Sequence, residues 1–309
     1  MTLAAATPVR RLAVLLVTLS AALAGCSGGP GPGPLPAGPT RTGPTYDSYV
    51  ALGDSFTAAP FVPTTDLAGG CLRSNGNYPS RVHRRLHIRH FTDVSCSGAT
   101  TRDLTHPQVT FGDATVPPQL DAVRASTDLV TVGIGGNDFD LFGSLVGTCT
   151  RMRSSDPTGA PCTELLDRQR LSLADKARRI GRRVGDAVRA VQRRAPHARV
   201  LLVGYPRIAP DHGTCVRLLP LADGDYAEGR RIQRLLDGAL ASAARRTGVE
   251  YVDLYSASRG HDVCSADPWV NGRFTREGKA LAYHPFATGM EAAADLVVRR
   301  VSGASPGGG

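Results

Sequence analysis

The stretch SYVALGDSFT occupies residues 48–57. It begins as a strand-like apolar run and stops at Gly53, where a flexible residue, an acid and a hydroxyl follow one another. Glycine and aspartate are ordinary turn residues, but a turn does not require the serine that comes next. The stretch therefore predicts a buried strand whose carboxyl end presents Ser55, and the rest of the chain has to explain that serine.

Strand-like and helix-like segments alternate on the carboxyl side of this stretch. Periodic apolar residues predict an amphipathic helix from Leu173 to Val191, with further helices near residues 225–246 and 285–301. Such alternation favours a parallel sheet covered by helices on both faces, with ligands beyond the carboxyl ends of its strands. The further strands are predicted in HFTDVSC, DLVTVGIGGND, ARVLLVGYP and VEYVDLY.

The N-terminus has the pattern of an export signal. Two arginines precede a short apolar run that ends in small residues, which is typical of a secretory signal peptide over residues 1–25. The run closes in LAGC, which resembles the lipobox of bacterial lipoproteins and implies cleavage before Cys26 and diacylation of its thiol. The alternative is an ordinary export signal with an incidental cysteine. Residues 26–45 are a Gly/Pro-rich tether, residues 46–301 one folded domain, and residues 302–309 a flexible tail.

The cysteine count agrees with export. Of seven cysteines, Cys26 is set aside, and the remaining six allow fifteen disulfide pairings. Zinc binding is rejected because no cysteine pair has CxxC spacing and HExxH does not occur. The simplest pairing joins neighbours, since each bond would then close one local excursion: Cys71–Cys96, Cys149–Cys162 and Cys215–Cys264.

Charge and composition narrow the range of partners. The formal net charge is +9, but the arginines are scattered and aromatic residues make up only 6% of the chain. This pattern argues against a nucleic-acid surface and favours a solvated basic surface. We expect no metal, no cofactor and no nucleic-acid partner, and we expect a monomer.

Four residues at predicted strand ends form a chemically sensible set. A serine hydroxyl needs a base to become a nucleophile, and it needs hydrogen-bond donors where negative charge develops on the substrate. His284, after the fifth strand, is the candidate base. The candidate donors are the backbone N–H groups of Ser55 and Gly98 and the side-chain amide of Asn137. Taken singly, these residues could instead be a helix cap, a turn glycine, an Asx-turn and a helix-entry histidine.

These residues carry a resemblance to a known family. GDSFT at residues 53–57, the glycine of SGA at Gly98, GGND at residues 135–138 and HP at His284 resemble the four blocks of the SGNH (GDSL-type) hydrolases. The branch they most resemble is that of the secreted actinobacterial lipases and esterases, whose domain also holds three disulfides. The resemblance implies a flavodoxin-like three-layer α/β/α sandwich with five parallel strands. It also implies that Ser55 is the nucleophile and His284 the base, with the three donors as the oxyanion hole.

One position departs from the pattern of many family members. They carry an aspartate three residues before the histidine, and this chain has Leu281 there. In the lipase branch that the chain resembles, a backbone carbonyl at this place orients the histidine. The carbonyl of Leu281 is therefore the predicted partner, with Asp267 or Glu277 as alternatives.

The function expected from these residues is hydrolysis of carboxylic esters through an acyl-enzyme. A lipid ester, such as an acyl glyceride or a phospholipid, suits an exported enzyme held at the outer membrane face by lipid on Cys26. One alternative is a deacetylase of cell-wall or other carbohydrate esters, which would use the same site. A second is an envelope lipoprotein that binds ligands without catalysis.

Overall fold

The computed structural model describes residues 44–303. The predicted signal peptide, Cys26, nearly all of the tether and most of the tail lie outside these residues. The strands of the described region are β1 (Ser48–Gly53), β2 (His90–Asp93), β3 (Gln108–Val109), β4 (Thr115–Val116), β5 (Leu129–Gly133), β6 (Arg199–Val203) and β7 (Glu250–Val252).

Five of these strands form one parallel sheet in the order β2-β1-β5-β6-β7. β3 and β4 form a separate antiparallel ribbon. All five strands of the sheet fall on the segments predicted from the sequence. β2 is an edge strand, and its alternating exposure shows that one of its faces is open to solvent.

Helices follow the strands in turn. The α-helices are α1 (Ser55–Ala58), α2 (Tyr78–Leu86), α3 (Leu141–Gly143), α4 (Thr150–Met152), α5 (Pro161–Asp167), α6 (Leu173–Arg194), α7 (Tyr226–Thr247), α8 (Leu254–Ala257) and α9 (Ala287–Ser302). Single 3₁₀ turns lie at Thr101–Leu104, Gln119–Ala122, Asp138–Asp140 and Asp223–Asp225, and a π-helical turn at Ser144–Cys149. None of the helices in residues 44–303 combines the length and the apolar character needed to cross a bilayer.

The two faces of the sheet bury different side chains, because successive residues of a strand point to opposite sides. One core joins Val50 and Leu52 of β1 to the apolar stripe of α6 and to α7. The other joins Tyr49 and Ala51 to α2 and α9. The predicted three-layer α/β/α sandwich is thereby confirmed.

Strand register brings the loops of interest to one edge. Gly53 at the end of β1 is paired with Gly133 at the end of β5. The Asp54 N–H donates to the carbonyl of Gly133 (3.0 Å), and the N–H of Cys96, beyond β2, donates to the carbonyl of Gly53 (3.0 Å). The segments that follow three strands therefore leave the sheet side by side.

Candidate active site

The turn after β1 holds Ser55 at the start of α1. The Asp54 side chain caps this helix by accepting the Phe56 N–H (2.9 Å). A Cβ at Gly53 would lie 2.2 Å from Thr57 Oγ1 and 2.7 Å from the Gly133 carbonyl oxygen, so only glycine fits there. Ser55 itself is buried, with 8% of its surface exposed.

The structure brings His284 to Ser55 across 229 residues of chain. The two side chains meet with His284 Nε2 2.7 Å from Ser55 Oγ. The other ring nitrogen, Nδ1, lies 2.7 Å from the carbonyl oxygen of Ala282. A carbonyl can only accept, so Nδ1 carries the proton and Nε2 is the free lone pair that faces the serine hydroxyl.

The prediction that the Leu281 carbonyl orients His284 was wrong. That carbonyl accepts from the backbone N–H of His284 (3.1 Å) and from the Asn271 side chain (3.2 Å). Tyr283 has a left-handed backbone with φ 59°, and this turn aims the Ala282 carbonyl at the imidazole instead. Of the two alternatives, Asp267 lies beside a different histidine, 3.4 Å from His261 Nδ1.

The environment of His284 keeps the imidazole neutral. Burial lowers its pKa to about 4, against a smaller opposing effect of the hydrogen bond to Ala282. A neutral carbonyl stabilises an imidazolium less than a carboxylate does. The ring also packs against Phe56, with 5.0 Å between ring centroids. His284 is therefore available as a proton acceptor over most of the pH range.

The predicted oxyanion donors lie on the adjoining loops. Gly98 is exposed with φ 80°, a left-handed conformation that glycine adopts without strain. Within residues 44–303 the N–H groups of Gly98 and Ser55 have no hydrogen-bond acceptor. Asn137 donates one amide hydrogen to the carbonyl of Ala99 (2.9 Å), which leaves its second hydrogen free. Each of the three groups therefore keeps one hydrogen that could be donated to a substrate oxygen.

Tyr205 connects the turn that holds Ser55 (the serine turn) to the loop that holds Asn137 (the asparagine loop). The sequence alone did not predict this role for Tyr205. Its buried hydroxyl donates to Asp54 Oδ2 and accepts the N–H of Gly136 (3.0 Å). Gly136 immediately precedes Asn137, so one hydroxyl links the two loops. The available signal was its place in VGYP, directly after β6 at the same sheet edge.

The Asp54 carboxyl group has an unusually high pKa. Burial raises the pKa of its carboxyl group to about 7, while the hydrogen bonds from Tyr205 and from the Phe56 N–H lower it. The carboxyl group is 1% exposed and its two oxygens face these donors. Asp54 contacts neither Ser55 Oγ nor His284 through a hydrogen bond, so its contribution is to the shape of the turn.

A second set of hydrogen bonds joins the loop that holds Gly98 (the glycine loop) to the asparagine loop. Asp138 is 1% exposed and accepts from the N–H (2.8 Å) and hydroxyl (2.5 Å) of Thr101 and from Arg183 (3.1 Å). Arg183 also lies over the Phe139 ring, 4.2 Å from its centroid. The buried Asp138 carboxylate thus holds together the two loops that carry the candidate oxyanion donors Gly98 and Asn137.

One of three disulfides lies in the same region. The structure contains the neighbour pairing expected above, namely Cys71–Cys96, Cys149–Cys162 and Cys215–Cys264. The first of them lies next to the glycine loop, where the Ser97 N–H donates to the carbonyl of Cys71 (2.9 Å). Disulfides persist in oxidising compartments, so these bonds fit an exported protein.

Known proteins resemble this chain in sequence and in fold. Residues 51–292 match the model of the GDSL-like Lipase/Acylhydrolase family. Lipase 2 of Streptomyces coelicolor is 42% identical over 235 residues, which cover 74% of this chain and 77% of that protein. A phospholipase A1 from Streptomyces albidoflavus superposes with a TM-score of 0.66 at 28% identity, over 84% of this chain and 100% of the other. An extracellular lipase from Streptomyces rimosus gives 0.65 at 27% identity, over 82% and 99%.

Proposed function

The chain belongs to the GDSL-like lipase/acylhydrolase family and is a carboxylic ester hydrolase. We propose that it cleaves acyl esters of lipids, such as acyl glycerides or phospholipids, through an acyl-enzyme on Ser55. The observation that carries the proposal is the 2.7 Å contact between His284 Nε2 and Ser55 Oγ. It is the separation that proton transfer from a nucleophile to its base requires.

In the first half-reaction, His284 Nε2 takes the hydroxyl proton while Ser55 Oγ bonds to the ester carbonyl carbon. The negative charge on the carbonyl oxygen is stabilised by the N–H groups of Ser55 and Gly98 and by the Asn137 amide. The imidazolium then gives its proton to the departing alcohol, which leaves an acyl group on Ser55. Water repeats the sequence, with His284 as base, and releases the acid.

The lipid nature of the substrate is inferred from the relatives and from the N-terminal sequence. The relatives are named lipases and a phospholipase A1. In the same proposal, diacylated Cys26 holds the enzyme at the outer face of the membrane, where such esters are abundant. The lipobox-like LAGC supports this anchor.

The nucleophile is tested with an organophosphate serine reagent and nitrophenyl esters. We expect one label per chain, mapped to Ser55, and a fall in kcat of at least about 10³-fold in Ser55→Ala. Ser74→Ala is the matched control, because Ser74 is also a buried serine but its hydroxyl has no hydrogen-bond partner. Full activity in Ser55→Ala, or labelling elsewhere, would contradict the mechanism.

The acyl group is tested with a series of esters from acetyl to palmitoyl. A lipid ester hydrolase has its highest kcat/KM on medium or long chains. Selective cleavage of acetyl groups from carbohydrate, with little activity on long chains, would favour the deacetylase alternative. An alkyne-tagged fatty acid fed to the producing cells should label the unaltered protein and not Cys26→Ser, and equal labelling of both would argue against lipid on Cys26.

A further inference from the structure

Large apolar side chains are unevenly distributed over the surface. Within residues 44–303, six of them are substantially exposed. Four stand out with more than half of their surface open to solvent: Leu67 (63%), Val109 (68%), Phe111 (62%) and Phe274 (57%). We call these four the apolar rim. Large apolar side chains left exposed on the same part of a surface mark a place where a partner binds, so their positions relative to the candidate site matter.

Three members of the apolar rim lie beside the glycine loop. Val109 and Phe111 belong to the ribbon of β3 and β4 and its connecting turn. The Phe111 ring lies 3.5 Å from the place that a Cβ on Gly98 would take, so it stands directly over the candidate oxyanion donor. Leu67 belongs to the adjoining segment, since a Cβ on Gly70 would meet the Phe111 carbonyl oxygen at 2.1 Å and the Gly70 N–H donates to the Leu67 carbonyl (3.1 Å).

The fourth member lies on the histidine side of the site. Phe274 belongs to the exposed loop that precedes His284, and its carbonyl accepts from the Asn271 side chain (2.7 Å). The Asn271 N–H in turn donates to the carbonyl of His284 (2.9 Å). The apolar rim is therefore connected to the site on two sides, through Phe111 beside Gly98 and through the loop of Phe274, which Asn271 joins to His284.

The histidine-side loop is also cationic. Residues 273–279 are all exposed and read RFTREGK, with three cations and one anion. The Arg273 guanidinium lies over the Phe274 ring, 4.6 Å from its centroid. Apolar side chains next to cations complement a surface whose interior is hydrocarbon and whose outer layer is anionic.

We infer that the apolar rim and the 273–279 loop form a docking surface for an anionic phospholipid bilayer, placing the mouth of the site against the lipid. This inference rests on the proposed function. The rim side chains enter the interfacial layer, and the cations of the loop pair with lipid phosphates. Docking delivers ester lipids to Ser55 independently of the N-terminal anchor.

Vesicle binding tests the inference without catalysis. The full chain carrying Cys26→Ser and Ser55→Ala is sedimented with phosphatidylcholine vesicles that contain or lack phosphatidylglycerol. We expect binding that is stronger with phosphatidylglycerol and weaker at high salt. Adding Leu67→Ser, Val109→Ser and Phe274→Ser should lower the partition coefficient by at least about tenfold, from the apolar area lost. Phe111 is left in place because of its position over Gly98.

The control is Leu165→Ser, at a side chain on α5 that is 38% exposed and lies outside the rim. This variant should leave vesicle binding unchanged. No vesicle binding by the parent, equal binding by the rim variant, or an equal loss in Leu165→Ser would each overturn the docking surface.

Activity assays separate this inference from the proposed function. With Ser55 restored, the rim variant should keep its kcat/KM on a soluble short-chain nitrophenyl ester and lose about tenfold on vesicle phospholipid. Parallel loss on both substrates would overturn a docking role. If the unaltered protein hydrolyses no ester at all, the proposed function fails, while the vesicle-binding result still decides whether the surface docks on lipid.

Discussion

Replacing Tyr205 with phenylalanine removes one hydroxyl group that the serine turn and the asparagine loop share. The ring can stay in place, since it packs against Phe56 with 5.1 Å between centroids. Two buried groups then lose a partner, namely the Asp54 carboxyl group and the N–H of Gly136. The variant therefore measures what the two hydrogen bonds of the Tyr205 hydroxyl contribute to stability and to the position of Asn137.

The stability loss should depend on pH. Burial raises the pKa of Asp54 to about 7, so the folded protein holds this proton more tightly than the unfolded chain and the Asp54 contribution to stability falls as pH rises towards 7. The Tyr205 hydroxyl opposes this fall by donating to the carboxylate. A hydrogen bond to a charged group contributes about 1.5–3 kcal/mol and a neutral one about 1 kcal/mol. Tyr205→Phe should cost about 2 kcal/mol near pH 5.5 and about 3–4 kcal/mol near pH 8.5.

Urea unfolding of both proteins at the two pH values measures this difference, and the titration of His284 cancels in the comparison. In nitrophenyl ester assays, kcat should fall about tenfold with little change in KM, because a displaced donor acts on the transition state. Tyr251→Phe is the matched control: its hydroxyl donates to Asp237 (2.6 Å), so it should lose stability but keep kcat. An equal stability loss at both pH values, or an unchanged kcat in Tyr205→Phe, would refute the reasoning.

Three further outcomes are expected. Asn137→Ala should lower kcat by about 10²–10³-fold in steady-state assays, as loss of one oxyanion donor does, and an unaffected kcat would remove Asn137 from the hole. Because burial lowers the pKa of His284 to about 4, the acid limb of the kcat/KM–pH profile should lie well below the ordinary histidine value of 6.5; a limb at or above 6.5 would point to a carboxylate partner. Replacing both Cys71 and Cys96 with serine should lower the free energy of unfolding by about 3 kcal/mol, since the bond closes a loop with a sequence separation of 25, and calorimetry that shows no change would contradict this.

Most of the fold could be predicted because parallel strands buried on both faces leave a plain pattern. Runs such as LVTVG and RVLLV are mostly apolar and do not alternate with polar residues, and helices with a 3.6-residue apolar period separate them. The meeting of Ser55 and His284 followed from the same topology, since residues after parallel strands share one edge. The arrangement of loops was therefore implied by the order of elements.

The details that escaped prediction depend on backbone conformation and on tertiary contacts. Choosing between the carbonyls of Leu281 and Ala282 required knowing that Tyr283 is left-handed, a conformation uncommon for any residue but glycine. The role of Tyr205 depends on where one hydroxyl falls between two loops. Gln119 is similar, because its buried amide pairs with both backbone groups of Gly53, and nothing in VPPQL indicates this.

The backbone partner of the His284 imidazole has a consequence for how mutation can alter this site. A main-chain oxygen is present whatever amino acid occupies position 282, so no codon change there deletes it. The position sensitive to mutation is instead Tyr283. A β-branched residue there would disfavour the φ of 59° and would turn the Ala282 carbonyl oxygen away from the imidazole. A side-chain change at 281 or 282 therefore leaves the acceptor of the imidazole in place, whereas a change at 283 can remove it.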